Sequence, residues 1–152
     1  MNWRTRRGFT FVEMLIVMII VGLLSSVAVP KYIDLKRRAS TTRVVGDFNA
    51  VRIAAMSFYA DSGYYPDETG AGIIPPTLVR YLPTGFSFVK PGWTIDYENW
   101  DAGQSPLGGT SAVVAISVIP EDPMLAVQTE KILGGVPAFR EGNVVTFVIS
   151  GL

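Results

Sequence analysis

Glu13 is the only charged residue in the run FTFVEMLIVMIIVGLLSSVAV, residues 9–29. A carboxylate among apolar side chains needs a cation or a route to water, so its chemistry is that of a charge seeking a partner. Thirteen Phe, Leu, Ile and Val residues surround it, and together they outweigh the insertion penalty of one charge. A second group of candidates is Asp96, Glu98 and Asp101, flanked by Trp93 and Trp100. On a strand, Asp96 and Glu98 share a face, the minimum for a calcium site, but a calcium cage needs six to eight oxygens and the twelve-residue loop pattern is missing. No metal is therefore assigned. The tryptophans suit sugar or peptide binding if exposed, and core packing otherwise.

Other chemistry finds little support. The chain has no histidine and no cysteine, which removes the usual near-neutral base, the commonest transition-metal ligand and any thiol nucleophile. Neither a Gly-x-Ser-x-Gly elbow nor a phosphate loop is present. A carboxylate pair for glycoside hydrolysis is neither shown nor excluded. The reading is of a protein that is not an enzyme, with no catalytic residue and no cofactor.

The elements that carry these residues follow from pattern. At about 1.5 Å per residue, residues 9–29 extend roughly 30 Å as a helix, the thickness of a bilayer's hydrocarbon core. Arg4, Arg6 and Arg7 precede the run without an acidic residue among them. The positive-inside bias keeps residues 1–8 cytoplasmic and sends the rest across. Gly22 and Pro30 bracket the weakest part of the helix, which either kinks at Pro30 or unwinds with Ser25 and Ser26 bonding to freed carbonyls.

The hexapeptide Gly8-Phe9-Thr10-Phe11-Val12-Glu13, after two arginines, resembles the class III signal of type IV pilins and type II secretion pseudopilins. The resemblance covers about the first thirty residues. It implies that prepilin peptidase cuts after Gly8 and that Phe9 becomes N-methylated. Glu13 then lies one helical turn from a new cationic amine. The resemblance favours pairing between Glu13 of one subunit and the Phe9 amine of its neighbour, which sets axial register because a slip leaves two buried charges unpaired. The alternative for Glu13 is snorkelling to water with no role. The segment 23–29 is similar to the stretch that melts in assembled filaments of this family.

Implied partners are a homo-oligomeric filament, related minor pilins or pseudopilins, prepilin peptidase, an inner-membrane assembly platform, separate ATPase machinery, and membrane lipid before assembly. Nucleic acid is not expected. The implied location is the bacterial inner membrane, single-pass, with the head periplasmic or extracellular. The missing cysteine departs from pilins with a C-terminal disulfide loop and favours a pseudopilin or a disulfide-free pilin. The ending EGNVVTFVISGL does not resemble the calcium loop of type II secretion major pseudopilins.

Beyond the span, about 120 residues suffice for one domain. Net charge is zero, with 13 basic and 13 acidic residues, but Lys31, Lys36, Arg37, Arg38, Arg43 and Arg52 face only Asp34 and Asp47 across residues 31–52. After Arg52 ten acids outnumber Arg80, Lys90, Lys131 and Arg140. A basic stem and an acidic head suit subunits stacking along a filament, while a solvated basic face is the ordinary explanation. Val44, Phe48, Val51, Ala55 and Phe58 step at helical spacing and predict one buried face, with Arg43, Asp47 and Arg52 outside. Asp61-Ser62-Gly63 and Pro66 stop that helix.

Residues 77–82 predict a helical turn or two; residues 93–97, 112–119 and 144–149 predict strands, with turns at 103–109 and 142–143. Residues 125–133 remain open between a strand and a crossing loop. The expected class is α+β: the pilin fold, a long N-terminal helix whose first half is transmembrane and whose second half packs on a small antiparallel sheet. The expected division is a leader 1–8, an assembly helix 9–29 and a head 30–152. A competing reading makes the head a secreted binding protein or hydrolase behind an ordinary signal peptide. In it, cleavage after Ala28 uses the small residues Ser26-Val27-Ala28, against an overlong apolar run that contains Glu13.

Overall fold

A computed structural model describes residues 8–106 and 113–151. Arg4, Arg6, Arg7, part of the 103–109 turn and the expected strand start at Ala112 lie outside the described residues. The chain resolves into two units that meet at Arg37 and Arg38, inside one helix, α1, Phe11–Ser62.

The N-terminal unit is the first part of α1. It is long and apolar enough to cross a membrane, and its side chains from Gly8 to Lys36 are all exposed. A helix apolar on every side and exposed throughout its described residues is built for lipid or for other helices. Pro30 does not interrupt α1, which stays helical on both sides of it.

The second unit begins at Arg38 and holds the hydrophobic core. Thr41, Val44, Phe48, Val51, Ala54, Ala55 and Phe58 form the buried face of α1 here, containing the whole stripe that the spacing predicts. The helix ends as expected: Gly63 takes φ +79°, a value open to glycine at little cost, and its N–H donates to the Tyr59 carbonyl at 2.8 Å. A single 3-10 turn, Val79–Tyr81, occupies the passage expected to be helical.

Five antiparallel strands follow: β1 Val89–Lys90, β2 Trp93–Trp100, β3 Val113–Pro120, β4 Ala138–Glu141 and β5 Val144–Ser150, in sheet order β1-β2-β3-β5-β4. Alternation sends Trp93, Ile95 and Tyr97 of β2 and Val114, Ile116 and Val118 of β3 into the main core with Phe48 and Phe147. The rings of Phe48 and Phe147 stand 5.2 Å apart. The opposite face of the sheet carries a smaller cluster, Val113, Ala115 and Val148, with Trp100 and Phe139 against it.

Two expectations need correction. Residues 125–133 are neither strand nor loop: Pro123–Ile132 is a helix, α2, capped by Asp122, whose carboxylate accepts from the Met124 N–H at 2.9 Å. Leu125, Ala126 and Thr129 are its buried residues, at helical spacing. Asp47 and Arg52 are not outside but half-buried. Asp47 accepts from Trp93 Nε1 at 3.2 Å and lies 3.8 Å from Lys90 Nζ, tying α1 to β1 and β2. Burial raises its pKa, and Lys90 and Trp93 work against that rise.

Candidate assembly site

The N-terminal candidates sit at the first turn of α1. Thr10 is the residue before the helix, and its carbonyl accepts the first helical bond, from the Met14 N–H at 3.2 Å. Its hydroxyl accepts from the Glu13 N–H at 3.3 Å. In return the Glu13 carboxylate accepts from the Thr10 N–H at 2.7 Å and from the Thr10 hydroxyl at 2.9 Å. This reciprocal pair is a capping box, in which two groups left over at a helix start satisfy each other. The Thr-x-x-Glu spacing signals it in the sequence, and our reading of Glu13 as a lone charge overlooked it.

Gly8 and Phe9 precede the helix and are open, Phe9 with 76% of its surface exposed. Both flanks of the Gly8–Phe9 bond are therefore accessible within the chain. Gly22 has no heavy atom within 4 Å of where a Cβ would stand. Near Pro30, the Ser26 hydroxyl donates to the Leu23 carbonyl at 2.7 Å, one turn back. The structure thus brings Glu13 to Thr10, leaves Gly8 and Phe9 bare at the helix start, and places Gly22 and Pro30 within unbroken helix.

The acidic candidates lie elsewhere, on the outer face of the sheet. Asp96 and Glu98 share that face, as alternation predicts, while Asp101 follows the end of β2 and is exposed. Glu98 accepts from the Ser117 hydroxyl at 2.9 Å, and Ser117 meets the Thr146 hydroxyl at 2.8 Å. Burial, then the charge of Glu68, pushes the Asp96 carboxyl up to about 6. Burial followed by Asp96 raises Glu98. Among the described residues no three His, Cys, Asp or Glu side chains are grouped to hold a metal. Trp93 is buried and Trp100 tilts against Phe139, so both pack.

Comparison with known proteins matches the first of these sites. Residues 3–29 fit the prokaryotic N-terminal methylation motif. The type II secretion system core protein G of Klebsiella michiganensis is 31% identical over 114 residues, 68% of this chain and 80% of that protein. Its Escherichia coli counterpart is 30% identical over 102 residues, 60% of this chain and 70% of that protein. A type IV major pilin protein of Neisseria gonorrhoeae is 34% identical over 71 residues, so the chain spans only 33% of that pilin's length. No solved structure matches. With a methylation motif on a bare apolar helix start and a sheet-bearing head behind it, the chain belongs to the family of type IV pilins and type II secretion pseudopilins, and it is a structural pilin-like subunit.

Proposed function

We propose that the chain is inserted in the bacterial inner membrane with residues 1–8 cytoplasmic and the head outside, cut by prepilin peptidase after Gly8, methylated at Phe9, and polymerised through α1. The observation that carries this reading is the coincidence of the methylation motif, residues 3–29, with a helix segment whose apolar side chains are exposed. The longer matches to secretion core protein G, which extend into the head, favour a type II secretion pseudopilus over a type IV pilus. The relatives reported above are pilins and secretion core proteins, which supports a structural role.

Maturation would leave the capping box whole, because its backbone donor is the N–H of Thr10 and not of Phe9. Hydrolysis of the Gly8–Phe9 bond converts a neutral peptide nitrogen into an ammonium one residue before the box. The carboxylate of Glu13, held by Thr10, then faces its own amine and, in a filament, the Phe9 amine of a neighbour. A pair across subunits fixes register, since a slipped neighbour strands both charges. Gly22 and Pro30 are the points at which α1 gives way most easily if assembly stretches it. Related minor subunits and an inner-membrane platform are the partners this role requires.

The test is the intact mass and N-terminal peptide of the protein recovered from bacterial membranes. A mature chain beginning at methylated Phe9 is expected. A soluble chain beginning at Val29 would overturn the assembly role, because the helix needed for it would be gone.

A further inference from the structure

Two patches on the head unit carry opposite charge, and the charged groups at their surface make no ion pair among the described residues. The first is a groove of about 390 Å³ between α1 and α2, lined by Arg38, Thr41, Thr42, Gln128, Lys131 and Ile132. Its polar floor is internally satisfied: the Thr41 hydroxyl donates to Gln128 Oε1 at 3.0 Å and the Thr42 hydroxyl to the Arg38 carbonyl at 3.1 Å. Its two cations are not. Arg38 and Lys131 are exposed and make no ion pair among the described residues.

The second patch lies past the other end of the same helix. Asp61 is twenty-three positions beyond Arg38 on α1, about 35 Å along the axis at 1.5 Å per residue. The loop that follows holds Asp67 and Glu68, both exposed. The loop is fixed to the sheet, with the Pro66 carbonyl accepting from Asn99 Nδ2 at 2.7 Å and the Gly72 N–H donating to the Ile95 carbonyl at 2.9 Å. Arg80, a nearby cation, is directed to the Tyr81 hydroxyl and not to a carboxylate, and that hydroxyl donates to Asp61. Glu68 instead adds its negative charge to the half-buried Asp96, whose Oδ1 lacks a hydrogen-bond partner. Asp61 is thus held by Tyr81, while Asp67 and Glu68 make no ion pair among the described residues and ride on a loop tied to the sheet.

We infer that the loop carrying Asp67 and Glu68 in one subunit docks its carboxylates in the Arg38–Lys131 groove of a second copy of this chain. The two patches differ and lie at opposite ends of the head's part of α1, so the contact is heterologous. Each copy offers one free groove and one free loop, and docking therefore propagates in one direction and does not close as a two-fold dimer. Complementary charge of this kind selects orientation and partner more than it adds affinity. The inference rests on the assembly reading above and specifies which head surfaces meet in the filament.

The experiment is cross-linking in filaments of the full chain, which has no native cysteine to interfere. Thr42→Cys and Thr69→Cys flank the groove cations and the loop acids without removing them. The chain carrying both should give a ladder of dimer, trimer and higher species after oxidation, and either substitution alone should give no ladder. Independently, Arg38→Glu with Lys131→Glu should lower filament yield roughly tenfold, and adding Asp67→Arg with Glu68→Arg should restore it to within about twofold. Filaments that form normally without a ladder, or that tolerate the reversed groove, overturn the contact. Loss of binding to phosphatidylglycerol vesicles by the reversed groove, with filament yield unchanged, would overturn it in favour of a lipid headgroup. If the unaltered chain forms no filaments at all, the assembly reading fails first and this contact falls with it.

Discussion

One helix runs through two environments. From Gly8 to Lys36 every residue is exposed, Leu15, Ile19 and Leu23 among them. From Arg38 onward the same helix buries Val44, Phe48, Val51, Ala54 and Ala55 almost completely. The first stretch is apolar on all sides and the second only on one. Apolar content therefore does not say where a helix finds its cover; the distribution around the axis does. The second stretch folds the head, and the first leaves its apolar surface for something outside the chain.

The largest effect that separates the two is expected from Glu13→Ala. Filament yield should fall below detection while the head's denaturation midpoint stays where it is. Normal filaments from this variant would remove the register role, and a shifted midpoint would break the separation of the two stretches.

Next is Phe48→Ala, which deletes a fully buried ring packed on Phe147 and should destabilise the head by about 3–5 kcal/mol in chemical denaturation. Leu15→Ala, in the bare stretch, should change the same midpoint by less than about 0.5 kcal/mol. Equal losses would show that the bare stretch is covered by the head after all. Removing the α2 cap with Asp122→Ala should cost about 1 kcal/mol, and an unchanged midpoint would show that α2 does not depend on its cap.

The smallest effect concerns pH. Asp96 rises from 3.8 to about 6 on folding, chiefly through burial and then through Glu68, so the folded head holds its proton more tightly than the unfolded chain. Its contribution accordingly favours folding below pH 3.8 and is lost as pH rises through about 6. Asp96→Asn should flatten the slope of stability over that interval, by on the order of 1 kcal/mol or less once solvent screening is allowed for. A titration that keeps its slope would assign the proton uptake to Glu98 instead.

Much of the molecule was legible from pattern because single residues carried strong signals. Val44, Phe48, Val51, Ala55 and Phe58 gave the buried face, Gly63 the helix stop, and the β-branched runs the three long strands. What escaped was tertiary or reciprocal. Asp47 reads as a surface charge until Trp93 and Lys90 are brought to it from 46 and 43 positions away. β1 and β4, of two and four residues, are too short to leave an alternation and exist through their pairing with β2 and β5. α2 was missed although Asp122-Pro123 is a good helix opening, because Leu125 to Leu133 is also apolar enough for a strand. At the candidate site, Gly8, Phe9 and Glu13 stood out at once. The part of Thr10 did not, since its bonds to Glu13 exist only once the first turn is wound.

The two edge strands have a bearing on polymer form. A protein that polymerises by one route is endangered by others, and an open sheet edge is a template for unplanned strand addition. Here the rims of the sheet are β1, which ends on Lys90, and β4, which carries Arg140 and Glu141. Short, charged rims give an incoming strand little backbone to pair with and put charges in its path. Head units brought side by side thereby offer each other little open edge on which to fuse into cross-β aggregates.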